Sequence, residues 1–420
     1  MNKKIFYNSI WMMSEKVITL FGLIFVTSYV AKYVGPGIFG QIAFATSLFQ
    51  IAQIISQLGS DVVIFKRISK NRKSGVKLLR ATFFLRFLVY LVVAIPVLLI
   101  VGFNSDFVGR LFIFSCFLSC LFSSLDVFNI YYDSLLESKK NTIINVVGLV
   151  TSLLLRWGIA LLLLPPVYLA IPIVLTGLIP FLIRLIVFSR HSNVCVSRKK
   201  HKVQYTKYLF KTGMTFVVSS LSVAIYTRMS MLTLGYLKGD YAVGIFSVAV
   251  TLSTSWAFVC NSFITSTMPS IFSEKDDDSA AIKTARLSLL VVYIGLPVFF
   301  CVFLLGPYAI HLLYGEKYTA SFYPLVILTF STMISMLGVV SSRYIAKYSG
   351  YAFLSKKMLS VCIFGFFINI IFVYKFGIIG AAFSTLLTEI LSLTVFNYFF
   401  RKGMVYRVHR LMLSLKCLKK

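Results

Sequence analysis

Five side chains in one apolar run are of types that bond to hydrated groups: Thr46, Gln50, Gln53, Gln57 and Asp61 recur at spacings of three and four. That spacing puts them on one face of a helix. A polar face inside a membrane span needs water, a partner or a ligand, because lipid offers no hydrogen bonds. Amides and hydroxyls so arranged suit sugars or ordered water, with contact between packed helices as the structural alternative. Asp61 lies five residues before Lys66, so a salt bridge near the inner interface competes with a cavity role for it.

Other chemistry-bearing residues are charges within apolar runs. Asn8, Glu15, Thr19 and Gly22 share a face of the first run, with Lys16 turned about 100° away. Arg86 lies eight residues into its run, Arg156 near the middle of another, and Glu389 is central in the last. Arg228 lies opposite a stripe formed by Thr212, Thr215, Ser219, Ser222, Tyr226 and Ser230. The stripe reads as a packing contact and Arg228 as a cavity residue, since Arg is costly against lipid while hydroxyl side chains pack between helices. Arg184, Arg286 and Arg343 sit near cytoplasmic ends, where long side chains reach the interface. Basic residues outnumber acids within the spans, which points to a cationic cavity for an anionic substrate, and Arg is well shaped for phosphate.

The chain that must position these residues is 420 residues long, 58% hydrophobic, 16% aromatic and 13% charged. Its mean hydropathy of +0.87 lies outside the range of soluble domains, so it is an integral membrane protein. The net charge of +29 lies almost wholly between apolar runs, which argues against a nucleic-acid partner and for anionic lipid headgroups. Seven cysteines without a CxxC, and four histidines never at ligand spacing, indicate neither a disulfide framework nor a metal site. There is no Gly-rich phosphate loop, no HExxH and no nucleophile elbow, so the sequence predicts no covalent chemistry and no bound cofactor.

At the length needed to cross a bilayer, the sequence predicts helices near 8–33, 37–65, 78–102, 106–133, 142–164, 167–189, 206–235, 241–270, 282–304, 319–345, 356–374 and 378–400. The first run is too long for a signal peptide and carries Glu15 and Lys16, so it reads as a retained span. With the N-terminus inside, thirty-one of the forty-two basic residues fall on cytoplasmic segments and five on outer turns, which places both termini in the cytoplasm. The organisation expected is an N-terminal six-helix bundle over 1–189, a basic cytoplasmic linker over 190–211 and a C-terminal six-helix bundle over 206–400. A basic tail over 401–420 follows, with Val408, Leu411, Leu415 and Leu418 on one side, as for a helix lying on the inner surface. A shift of 204 residues lays Gly35, Gly40, Ala45 and Leu48 on Gly239, Gly244, Ala249 and Leu252, each copy opening an outer turn. Six spans separate the copies, so the halves form a parallel repeat.

Several stretches resemble the polysaccharide repeat-unit (O-antigen type) flippases of the bacterial inner membrane, within the superfamily that also holds multidrug extruders and the lipid II flippase. The resemblance rests on NSIWMMSEK, YVGPGIFGQIAFATSLFQ with GSDVVIFKR, TRMSMLTLGYLKGDYAVGIFSVAVTLSTSW with MPSIF, LLYGEKYTAS, and INIIFVYKFGIIGAAFSTLLTEIL. It implies an all-α membrane fold of about twelve helices in two six-helix bundles, V-shaped around a central cavity open alternately to each side. The cargo implied is an oligosaccharide on a polyprenyl diphosphate, moved to the outer leaflet in lipopolysaccharide or similar surface-polysaccharide synthesis, with an H⁺ or Na⁺ gradient as candidate energy source. A polysaccharide polymerase and a chain-length regulator are the candidate protein partners. One departure stands out: relatives often carry a basic residue, one apolar residue and then Asp in the seventh helix, and here Ser230 follows Arg228. Two alternatives are weighed. A multidrug or cation antiporter would need acids deep in its cavity, and a membrane polymerase would need a sizeable outer loop, whereas only 305–318 is of any length. The orientation is checked by fusions: green fluorescent protein after Lys140 should fluoresce, and alkaline phosphatase should be active after Lys375 but inactive after Lys420.

Overall fold

A computed structural model describes residues 3–135, 137–191 and 220–414. Among them the secondary structure is entirely helical. Nine stretches among the described residues are long and apolar enough to cross a membrane. Two of them, Met13–Gln57 and Tyr351–Tyr398, contain a kink at a glycine, Gly35 and Gly377, and so hold two spans each. A further helix runs over 220–238. The chain is therefore a multi-pass helical membrane protein, and about twelve spans fit it. Most of the linker, 192–211, and the hydroxyl residues Thr212, Thr215 and Ser219 lie outside the described residues.

The chain divides into two compact units, Met1–Ala224 and Ile225–Lys420. In the first, α1 (Lys3–Phe21) runs through a π-helical turn into α2 (Ser28–Gln57). Then come α3 (Ser60–Lys70), α4 (Arg72–Phe103), α5 (Phe107–Leu125), α6 (Phe128–Ser134), α7 (Ser138–Leu161) and α8 (Ala170–His191). α5 is the central helix, packed on α2, α4 and α8, while α7 packs on α1 and α8. Phe49, Tyr90, Phe112, Phe117, Phe128 and Phe181 fill the space between them. The approach of α8 to α5 depends on Gly177, where a Cβ would lie 2.4 Å from the Ser119 carbonyl oxygen.

Two spans read as continuous are broken. The run 37–65 stops at Gln57 and restarts at Ser60, with Leu58 and Gly59 both left-handed. The run 106–133 breaks at Asp126, between α5 and α6. Each break frees backbone groups that lipid cannot satisfy. Both occur beside the polar cavity described below.

The second unit contains most of α9 (220–238), then α10 (Asp240–Thr254), α11 (Ala257–Phe272), α12 (Asp277–Tyr314), α13 (Phe322–Lys347), α14 (Tyr351–Leu393), α15 (Val395–Tyr398) and α16 (Met404–Leu413). α13 packs between α12 and α14. The tail helix α16 does not offer its apolar face to lipid alone. Val405 and Val408 are buried against Ala280, Ala281, Ala285 and Tyr344 of α12 and α13, and Leu411 packs against the same cluster. Burial pushes the His409 imidazole down to about 4, and its two nitrogens face the Ser341 and Tyr398 hydroxyls. At the same end, α12 is capped by Asp276, whose carboxylate accepts from the Ser279 N–H and is held below the usual carboxylate range mainly by the bonds from Ser279.

The repeat has a conformational counterpart. Gly35 (φ 78°, ψ 170°) and Gly239 (φ 81°, ψ 178°) share a backbone conformation essentially confined to glycine. The same geometry opens a third turn at Gly315. No atom lies within 4 Å of a Cβ built on Gly35, Gly37 or Gly239, and of the three only Gly37 has an ordinary φ. Gly35→Ala and Gly239→Ala should therefore each cost about 1–3 kcal/mol through backbone strain alone. Gly37→Ala should be neutral or stabilise by up to ~1 kcal/mol. Unfolding midpoints in detergent would separate the two classes.

Candidate functional site

Within the first unit lies a polar cavity of about 280 Å³. α2 contributes Gln53 and Gln57, α3 contributes Asp61 and α4 contributes Arg86. The α5–α6 break supplies Ser123, Asp126 and Asn129, with Asn145 from α7 and Thr176 and Arg184 from α8. Amides and charges converge here from six helices, in a unit whose outer surface is apolar.

Arg86 is 1% exposed, and each of its three guanidinium nitrogens is used. Nε donates to Ser60 Oγ at 2.9 Å, Nη1 to the Ser124 carbonyl oxygen at 3.1 Å, and Nη2 to Ser60 Oγ and Asp61 Oδ1. One guanidinium thus ties the start of α3 to the end of α5, satisfying a backbone acceptor freed by the second break. Ser56 and Ser124 hydroxyls, 2.7 Å apart, close the same junction. The carboxylate of Asp61, in the first turn of α3, also lies where the helix dipole favours negative charge.

Arg184 makes the corresponding closure below the second break. Nη1 pairs with Asp126 Oδ2, Nη2 donates to Asn145 Oδ1, and Nε donates to Asn141 Oδ1 at 3.1 Å. Asn141 in turn donates to Asp133 Oδ1 and Asn145 to Glu15 Oε1, each at 2.8 Å. The network joins α1, α6, α7 and α8, and Asn141 also donates to the Asn129 carbonyl oxygen of α6 at 2.9 Å.

These contacts correct three sequence-based expectations. Arg184 does not reach for the interface; it is 2% exposed and ion-paired. The partner of Asp61 is Arg86, while Lys66 is exposed. This cavity is not cationic, because both arginines that line it are matched by carboxylates.

Gln53, Gln57, Asp61 and Arg86 thus come together in one cavity, with Glu15 one hydrogen bond away through Asn145. Gln50, on the same helix face, is not part of the lining, and its Oε1 is buried without a partner. Arg156 reaches the Thr176 hydroxyl at 3.4 Å with Nη2, and its Nε is buried without a partner. Lys16 is exposed. The residues that sequence reasoning missed are Asp126, Asn129, Asn145, Thr176 and Arg184.

Arg228 and Glu389 belong to the second unit. Arg228 is half-buried and already engaged. Glu389 is faced by Tyr226, Ser335 and Lys357, although the Tyr226 hydroxyl, buried, completes no hydrogen bond. Ser230, where relatives often place an acid, lies 3.0 Å from the Thr385 hydroxyl and accepts from Asn369 Nδ2 at 2.8 Å. That position is a packing contact between α9 and α14. No group of three or more metal-ligating side chains occurs among the described residues.

The fold is that of the multidrug and lipid-flippase transporters. An inward-facing multidrug resistance transporter of the MATE family superimposes with a TM-score of 0.69 at 15% identity, covering 97% of this chain and 98% of that one. The lipid II flippase MurJ, in an inward closed conformation, gives 0.63 at 16% identity, covering 99% and 92%. In sequence, the family described as "Polysaccharide biosynthesis protein" matches residues 5–275, and the chain belongs to it. Among curated relatives, the probable low-salt glycan biosynthesis flippase Agl15 of Haloferax volcanii is 22% identical over 203 residues, 47% of this chain and 42% of that protein. The capsular polysaccharide biosynthesis protein CapF of Staphylococcus aureus is 22% identical over 200 residues, 47% and 50% respectively. The chain spans half or less of the length of these two relatives.

The two ion pairs differ in exposure, which ranks their variants. Removing one partner of a buried pair leaves an uncompensated charge, costing about 3–5 kcal/mol. Asp126→Asn should approach that cost, because Asp126 is 9% exposed. Asp61→Asn should cost less, because solvent screens the 49%-exposed carboxylate, but it still leaves Arg86, 1% exposed, without its counter-charge. The double variant Asp126→Leu/Arg184→Met should recover most of the Asp126→Asn loss. Thermal midpoints in detergent read all three.

Proposed function

We propose that this protein is a flippase that carries a polyprenyl-diphosphate-linked oligosaccharide repeat unit from the inner to the outer leaflet of a bacterial cytoplasmic membrane. Alternating access moves the cargo, with no bond made or broken. The observation that carries the reading is a hydrogen-bonding cavity inside a membrane-spanning unit, in a chain of the polysaccharide biosynthesis family. Such a cavity suits a hydrated sugar crossing the bilayer while the polyprenyl tail stays in lipid.

The glycan is that of O-antigen or a similar surface polysaccharide, with the polymerase and chain-length regulator as successive partners, both termini cytoplasmic, and an H⁺ or Na⁺ gradient as driving force. Multidrug or cation antiport is the less favoured reading. Asp61 and Asp126 are each bound to an arginine and Glu15 to an asparagine, so none of these three carboxylates stands alone as a cation site.

The test is deletion of the gene followed by localisation of the lipid-linked sugar unit. Accumulation on the cytoplasmic leaflet is the expected result, and complementation with Gln53→Leu/Gln57→Leu should restore at most about a tenth of the wild-type export, in proportion to the two sugar-contacting amides removed. Accumulation of unpolymerised units on the outer leaflet would contradict flipping and point to a polymerase.

A further inference from the structure

The charge state of the cavity depends on which atoms face it. Arg86 and Arg184 line it, yet each of their guanidinium nitrogens is occupied: Arg86 by Ser60, Asp61 and the Ser124 carbonyl, Arg184 by Asp126, Asn141 and Asn145. The acceptors are not all used. Asp126 is nine-tenths buried, with Oδ2 on Arg184, and Oδ1 completes no hydrogen bond, although the Asn129 N–H faces the carboxylate. Asp61 engages Arg86 through Oδ1 alone, and its side chain is half exposed. The amides of Gln53, Gln57 and Asn129 complete the lining and can both donate and accept.

A buried carboxylate oxygen without a partner is expensive, and the ligand that relieves it must supply a donor. Hydroxyls do so, and a pair of sugar hydroxyls matches a carboxylate flanked by amides. An anionic group would face Asp61 and Asp126 beside guanidinium groups whose positive charge those two carboxylates already balance. The volume of about 280 Å³ lies at the small end of ligand pockets, which run from about 300 to 1,000 Å³, and so matches one sugar ring.

We infer that the cavity of the first unit is a subsite for a single uncharged sugar residue of the cargo, held by Asp126, Asp61, Gln53 and Gln57, and that it rejects acidic sugars and the diphosphate. The inference rests on the glycan reading above and narrows it: the anionic end of the substrate is bound by other groups. Here Asp61 and Asp126 have two roles each, anchoring an arginine with one oxygen and presenting the other to the ligand.

The purified full chain in detergent micelles can be probed by saturation-transfer NMR with a methyl hexoside, the matching methyl hexuronide and inorganic pyrophosphate. A fragment of this size binds at about millimolar concentration. The hexoside should receive saturation, Gln53→Leu/Gln57→Leu should abolish it, and the hexuronide should bind at least about tenfold more weakly because its carboxylate meets like charge. Gln57→Lys, which adds a donor and a positive charge without touching either ion pair, should invert the preference towards the hexuronide. Pyrophosphate should leave hexoside binding unchanged. Equal or tighter binding of the hexuronide, competition by pyrophosphate, or no transfer from any probe would each overturn the subsite. None of these outcomes bears on which leaflet the glycolipid accumulates in, so the flippase reading stands or falls separately.

Discussion

A polar group placed in a bilayer must be satisfied by the protein, and the first unit is organised around two places where that demand is severe. Its second and fourth spans break at Leu58–Gly59 and at Asp126, releasing backbone groups that the helices no longer satisfy. Two arginines close the breaks. Arg86 binds across from α3 to the Ser124 carbonyl of α5, and Arg184 binds from α8 to Asp126 in the second break and to Asn141 and Asn145 of α7, each balanced by the aspartate beside the break. Replacing either by an apolar residue would leave an aspartate without its counter-charge, so the breaks, the arginines and the aspartates depend on one another.

The breaks also make the cavity. A continuous helix presents side chains in ridges, whereas an interrupted one withdraws a turn and lets its flanking residues face a common space. Gln57 ends α2, Asp61 begins α3, and Ser123, Asp126 and Asn129 bracket the second interruption. The charged groups are balanced pairwise, and the amides of Gln53, Gln57, Asn129 and Asn145 complete the lining. Arginine count alone suggests affinity for anions; the pairing of each lining arginine with an aspartate removes the net positive charge here.

Much of this was legible in the residues. The spacing of Gln53, Gln57 and Asp61 marked the face, the long apolar runs gave the helices, and Gly35 with Gly239 marked equivalent turns that share one glycine-specific conformation. The break at Leu58-Gly59-Ser60-Asp61 was written as a glycine stop followed by a serine start, but span length outweighed that local signal. Asp126 carried no such punctuation, and Arg184 sat where a long side chain ordinarily reaches the interface, so their pairing, 58 residues apart, could not be read from periodicity. Gln50 shows the converse limit. It has the right period, yet the cavity begins one turn further along α2.

The central claim is that this chain moves a lipid-linked glycan between leaflets. The most direct measurement reconstitutes the purified protein in liposomes whose polyprenyl-diphosphate-linked oligosaccharide starts in one leaflet, and follows access of an impermeant sugar-oxidising reagent to the other. Protein-dependent appearance of the glycan on the far side, faster than in protein-free liposomes, is the predicted result. A time course indistinguishable from protein-free liposomes, under an imposed H⁺ gradient, an imposed Na⁺ gradient and neither, would contradict it.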